Sequence, residues 1–445
     1  MKKFFVIIAV LALTLVSSFA MAAEVTMDGS VEFLMRSFSN TNDWNNSVTG
    51  AGDYQSTYER VRLGMNAKGE GVKARIQIDT DWDQWADSPT GLTTGATTTA
   101  APNPGFDTRT NGTFSIREGW LDFGLGFGTA HVKVGRQFLQ LGNGWFLRSA
   151  KHGSDAWLVG MPGKNTVAFV NIKASENNST LADDTDAYAL LDVFKIDDKN
   201  TVGANISRAN DRRGTWTANA LTGPGPLKTE LTNYEVHYAG KVGPVNLQAQ
   251  IDMQSGKITF PTDKVDLSGS QWVLQANVPI DALTVNATLA SGSGDKVGTT
   301  NKVERYLNFL DTDPRFTMVY EYVMRTAATT GGTGFPAGAY TKDKNTGFSN
   351  TQVIGLGAGY KINKMFTVNF DAWMLSANEK VALNGNATAS DKLGNEFDLK
   401  LTANIAEGLS WYVNYGLFKT GDAYKNAAGI ADDATAIQSV LSYKF

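Results

Sequence analysis

Apolar and polar residues alternate one for one over many segments of the chain. Each segment is roughly ten residues long, the length a tilted strand needs to cross a bilayer. From Glu396 to Ile405, Phe397, Leu399, Leu401, Ala403 and Ile405 take one face, and Glu396, Asp398, Lys400, Thr402 and Asn404 take the other. The same period runs through 245–253, 271–278, 283–289, 352–362 and 366–372. One such segment would suit a strand of a soluble sandwich equally well. A long series of polar rows would not, because a dry core has no use for them. The repetition predicts strands with one face in lipid and one in water.

The connections alternate as well. Short turns fall at 68–71, 124–128, 161–165, 197–199, 239–245, 279–282, 362–364 and 406–409. Longer polar connections fall at 39–56, 83–112, 139–153, 174–185, 210–230, 255–268, 292–350, 378–393 and 420–433. Eight turns and nine loops give eighteen strands with both termini on the turn side. That is the layout of an all-β, antiparallel, up-and-down transmembrane barrel, with sixteen strands the next reading. Two stretches strain the count. Asp155 to Gly160 is short and alternates poorly. Within 292–350, Lys302 to Leu310 is faintly helical and Arg315 to Arg325 could be a strand. Counting that strand would put the C-terminus on the wrong side, so 292–350 is read as an outer loop with internal structure that folds over or into the mouth.

The ends fit this picture. Lys2 and Lys3, the apolar run Phe4 to Val16 and Ala20-Met21-Ala22 form a secretory signal peptide, cleaved after Ala22. Residues 23–445 are then one barrel, with the longest outer loops at 83–112, 139–153 and 292–350. Cleavage removes two lysines from a chain of formal charge −4. The last strand, Ala434 to Phe445, ends on an aromatic residue and looks like the terminus of a bacterial outer-membrane barrel. Aromatics near other strand ends suit a girdle at the lipid–water boundaries: Trp120, Phe194, Tyr238, Tyr360, Phe366, Trp411, Tyr443 and Phe445. Ordinary core packing would also accept them.

Composition removes other classes. There is no cysteine, so disulfides, thiolate metal sites and covalent haem are excluded. Mean hydropathy is −0.22, too low for a helical membrane protein. Charges nearly balance, so nucleic acid is not an expected partner.

Ile116-Arg117-Glu118-Gly119-Trp120-Leu121-Asp122, Val134-Gly135-Arg136-Gln137 and Leu141-Gly142-Asn143-Gly144 carry a family likeness. With them the mature chain resembles Gram-negative outer-membrane porins, most of all the eighteen-stranded alginate-export-type porins. The resemblance implies outer-membrane location and passive diffusion of small hydrophilic solutes, without cofactor, metal or catalysis. It also implies that loop 139–153 folds inward as a constriction, where Arg136, Arg148, Lys151 and His152 would meet the solute and Trp145 would offer an apolar platform. Barrel size agrees, since 16–18 strands leave an aqueous channel.

Alternation places candidate lining residues. Val61, Leu63 and Met65 mark the lipid face of the second strand, so Arg60, Arg62 and Asn66 point inward. Lys73, Arg75, Gln77, Asp79 and Asp81 point inward on the third strand, and His131 and Lys133 on the fifth. The expected turn sets Arg60 opposite Asp79. Two readings follow: a basic strip that favours anionic or carboxylated solutes, or an internal salt-bridge ladder that shapes the wall. Both can hold.

The acidic clusters Asp81-Trp82-Asp83, Asp183-Asp184-Thr185-Asp186 and Asp311-Thr312-Asp313 read as solvated loop charge, with calcium or a divalent bridge to lipopolysaccharide as the sharper option. There are three histidines, His131, His152 and His237; His237 alternates with Glu235 on an inward face, which reads as a lumen polar row before a catalytic base. No G-x-S-x-G, H-E-x-x-H or P-loop signature is present. A structural or adhesive barrel that binds partner proteins and an outer-membrane hydrolase are the competing classes. Expected partners are outer-membrane lipid, lipopolysaccharide and small solutes; monomer and homo-oligomer, such as a trimer, both fit.

Overall fold

A computed structural model describes residues 24–40, 54–80, 83–84, 115–149, 153–175, 184–212, 227–296, 299, 301–308, 316–320, 348–381 and 388–445. The expected signal peptide and Lys151, His152, Asp81 and Asp311 to Asp313 lie outside these residues.

Eighteen strands form the wall. They are β1 (Glu24–Ser39), β2 (Tyr54–Gly69), β3 (Val72–Asp79), β4 (Ser115–Gly124), β5 (His131–Gln137) and β6 (Ser154–Met161). Next come β7 (Asn165–Ser175), β8 (Thr185–Lys195), β9 (Thr201–Asp211), β10 (Lys228–Val242), β11 (Val245–Thr259) and β12 (Ser270–Ile280). The last six are β13 (Leu283–Gly292), β14 (Thr351–Lys361), β15 (Phe366–Val381), β16 (Ser390–Ala406), β17 (Leu409–Thr420) and β18 (Ala434–Lys444). Each pairs antiparallel with the next, and β1 pairs with β18 from Ser30↔Lys444 to Ser39↔Thr435. The sheet is therefore closed and has no free edge. Reciprocal bonds between the Gly29 and Phe445 backbones, 2.9 and 3.1 Å, extend the seam to the last residue.

Burial runs opposite to that of a soluble protein. Leu356 on β14 is 60% exposed and Met253 on β11 62%, while Glu396 and Asp252 are fully enclosed. The strand period explains it: successive side chains point alternately to lipid and to the bore. Phe194, Tyr360, Tyr443 and Phe445 are exposed near the turn-side strand ends, as a girdle requires.

The two stretches that strained the count resolve as the eighteen-strand layout requires, and finer expectations change. Ser154–Met161 is a full partner in the wall despite its weak alternation. Residues 316–320 are not a strand, and Lys302–Val303 make a short parallel bridge to Asp266–Leu267 in place of a helix. Trp120 is not a girdle residue. It pairs with Arg75 across β3–β4, and its indole N–H donates to Glu118 (3.0 Å) on the inner face.

Candidate functional site

The inner face of β1–β5 is a dense charged wall. Register decides its partners. The Glu70–Gly71 turn, with Gly71 at φ 71°, pairs Lys68 with Lys73 and so sets Arg62, not Arg60, opposite Asp79. The turn lies one residue later than alternation suggested, and the pairing slips by two. Arg62 donates to Asp79 (2.6 Å), while Arg60 turns to Glu32 on β1 (2.8 Å). Arg75 bridges Asp28 (2.6 Å) and Glu118 (2.7 Å). Each of these arginines is mostly buried against the wall.

Two further arginines escaped the pattern. Arg36 donates to Ser56 (3.2 Å) and Tyr58 (2.9 Å), its guanidinium 4.7 Å above the Tyr58 ring. Arg117 is the extra residue of a β-bulge: Gln77 pairs with Glu118 and Ile78 with Ile116. A bulge turns an otherwise misplaced side chain to the other face. Arg117 thus reaches Gln77 (2.8 Å) and Asp79 (3.8 Å) and covers the Phe138 ring at 4.4 Å. Strict alternation could not reveal it.

Nearer the turns, Lys133 lies 3.9 Å over Trp120, His131 meets Asp122 at 2.9 Å, and Lys73 is exposed opposite Asp122. Among the described residues the wall thus carries eight cations (Arg36, Arg60, Arg62, Lys68, Lys73, Arg75, Arg117, Lys133) against six carboxylates (Glu24, Asp28, Glu32, Asp79, Glu118, Asp122). The ladder of ion pairs exists, and among the described residues the wall keeps two more cations than carboxylates.

The third outer loop folds inward across the adjoining wall. Leu139, Leu141, Phe146 and Leu147 pack on Ala156, Val170, Ile172, Ala187 and Ala209, inward residues of β6–β9. The inner face is apolar there because the loop, not water, covers it. At the loop tip, the Asn143 backbone N–H donates to Gln250 (2.8 Å), and its side chain donates to the Ala249 (2.9 Å) and Tyr238 (3.2 Å) carbonyls. Below it lies a buried polar floor. His237 contacts Glu235 (2.8 Å), and Asp252 accepts from Asn233, Gln250 and Gln271 at 2.9 Å each.

Gln140 and Arg148 bridge each other across this loop and are exposed, facing away from the covered wall. Arg136 does not join them. It shares the outward face of β5 with Val132 and Val134 and is clamped by Asp155 (2.6 and 3.0 Å), so it leaves the lining set. Trp145 is no free platform either. Its ring packs on Phe316 (5.4 Å) and Phe348 (5.9 Å) of the seventh outer loop. Phe316 in turn stacks on Trp373 of the wall (5.6 Å). The third and seventh loops therefore meet inside the barrel.

Gly142 tests the anchor. It has φ 54°, and a methyl there would run into the Glu235 carboxylate. Gly142→Ala combines that clash with backbone strain of about 1–3 kcal/mol. Asn143→Ala removes two side-chain hydrogen bonds, each with a net worth of about 0.5–1.5 kcal/mol. Both variants should let trypsin cut after Arg148 faster in the folded barrel. Cleavage at the wild-type rate in both would mean that the tip does not hold the loop.

The two histidine–acid pairs lie away from the outer rim. One sits beneath the third loop and the other beside the 124–130 turn. Among the described residues no cluster could hold a metal ion.

A sequence model of Gram-negative porins matches residues 9–372. No curated protein sequence matches the chain. Solved structures share the fold. Acinetobacter baumannii OccAB4 superposes with a TM-score of 0.55 at 9% identity, covering 96% of this chain and 99% of that one. A BenF-like porin from Pseudomonas fluorescens Pf-5 gives 0.54 at 11%, covering 95% and 98%. The outer membrane protein opdK from Pseudomonas aeruginosa gives 0.53 at 9%, covering 94% and 98%. None of these is an alginate-export porin, so that finer likeness finds no support.

Proposed function

Because the chain belongs to the Gram-negative porin family, an outer-membrane channel for small solutes, we propose that its selectivity is set by the β1–β5 wall facing the inward-folded third loop. The observation that carries this reading is the group of inward arginines, Arg60, Arg62, Arg75 and Arg117, held in place by fewer carboxylates than there are cations on the wall. Fixed charges lining a narrow passage act on the passing ion at short range. An excess of positive charge favours anions and carboxylated solutes. Lys73, Lys133 and Arg148 add positive charge at the turn-side mouth and on the third loop; Asp79 positions Arg62 and Arg117. Lys151, which falls outside the described residues, would add to Arg148.

No catalytic role is read into the barrel. Residues 1–22 serve export and residues 23–445 the single barrel. Lipopolysaccharide is the expected neighbour of the outward rim charges, where Arg136–Asp155 and Lys173–Asp186 (3.4 Å) form ion pairs. Liposome swelling tests the proposal: small carboxylates should enter faster than amines of the same size. Equal rates would reject the selectivity, and no entry of any solute would reject the channel.

A further inference from the structure

Among the described residues, the joint between Glu396 and the seventh outer loop is unlike any other contact in the bore. Glu396 lies on the inward face of β16 and is fully enclosed. Its carboxylate accepts the backbone N–H groups of three successive residues: Met318 and Val319 on Oε1 (2.5 Å each) and Tyr320 on Oε2 (2.8 Å). The side chains of the same segment are buried. Phe316 stacks on Phe348 (5.3 Å) and Trp373, and Tyr320 lies 5.8 Å from Phe418. Two residues on, Asp398 shares the inward face, is 5% exposed and accepts the Trp373 indole N–H (3.2 Å).

The dependence is mutual. A buried carboxylate without donors is costly, and so are three buried amides without an acceptor. Beside these amides Glu396 meets the Asp398 carboxyl, which cannot replace three N–H donors, so the segment is favoured in this one bound position. We propose that Glu396 is a latch that holds segment 316–320 inside the bore and so positions the constriction. Released, the segment would widen the passage and uncover Glu396 and Asp398 together. Conductance and selectivity are then linked: the latched channel is narrower and dominated by the arginine wall, and the unlatched channel is wider and more favourable to cations.

The inference rests on the channel reading, and single-channel recording separates the two. Loss of one charge-assisted hydrogen bond shifts such an equilibrium roughly tenfold or more, and Glu396→Ala removes three. In folded protein, checked by heat-modifiable gel migration, E396A should give larger and noisier unit currents. Its zero-current potential should move toward cations, because Asp398 is uncovered.

The chain contains no cysteine, which permits a clean second variant. A Cβ at Gly416 would lie 3.1 Å from the Met318 Cβ, near disulfide range after slight relaxation, but 2.8 Å from the Asp398 carboxylate, so the reduced double variant is the reference for every crosslink comparison. M318C/G416C, oxidised, should bring the current of the E396A background back to that of M318C/G416C with Glu396 present, and lose that effect on reduction. In the otherwise wild-type chain, oxidation should leave the current unchanged. Wild-type current and noise in folded E396A would overturn the latch. So would a current altered by the crosslink alone. Absence of current from every form, wild type included, would reject the channel reading instead.

Discussion

Replacing Arg60, Arg62 and Arg75 together with alanine is expected to reverse the sign of ion selectivity, not merely to reduce it. Each arginine is paired, so each substitution leaves an acid behind: Glu32, Asp79, and both Asp28 and Glu118. Among the described residues, the wall would pass from eight cations against six carboxylates to five against six. A unit charge about 4 Å from a passing ion is worth about 1 kcal/mol in water and about 4 kcal/mol at the effective dielectric near a protein surface. The zero-current potential in a potassium chloride gradient should therefore change sign. The control is Glu32→Gln with Asp79→Asn, which should strengthen anion preference. Unchanged potentials in both variants would show that the wall does not act on the passing ion.

The second large effect is on stability. Leu399 faces lipid in the middle of β16 and is 49% exposed, whereas Lys400 faces the bore 4.1 Å over the Tyr412 ring. Leu399→Arg should cost about 2–4 kcal/mol in denaturant unfolding from lipid vesicles, the penalty for a guanidinium near the bilayer midplane. Thr402→Arg, on the wet face of the same strand, should cost much less. Equal costs would contradict the assignment of faces, on which the identity of every lining residue depends.

Period-2 alternation is a local signal, so it revealed what local rules control. The eighteen strands, the loop and turn layout and the inward faces of Arg60, Arg62, Arg75 and Lys133 follow from it. What it missed depends on register or on distant contacts. The partners Asp28, Glu32 and Glu118 come from neighbouring strands, and the Glu70–Gly71 turn moved Asp79 from Arg60 to Arg62. Arg117 needed a bulge, and Trp120 reads as a girdle ring until β4 is paired with β3. Arg136 was assigned by its loop and not by its strand parity, which Val132 and Val134 already fixed. Glu396 looked like one more wet-face residue in the clearest strand of the chain. Its receptor, the amides of 318–320, lies more than seventy residues away in sequence, and no periodicity links the two.

The account stands or falls on a continuous water path through the closed barrel. The direct test is the current carried by purified protein in a planar bilayer. Discrete steps that scale with salt concentration, with a zero-current potential displaced toward anions in a salt gradient, are the predicted result. Membranes that hold folded protein but pass no current at any voltage would contradict it.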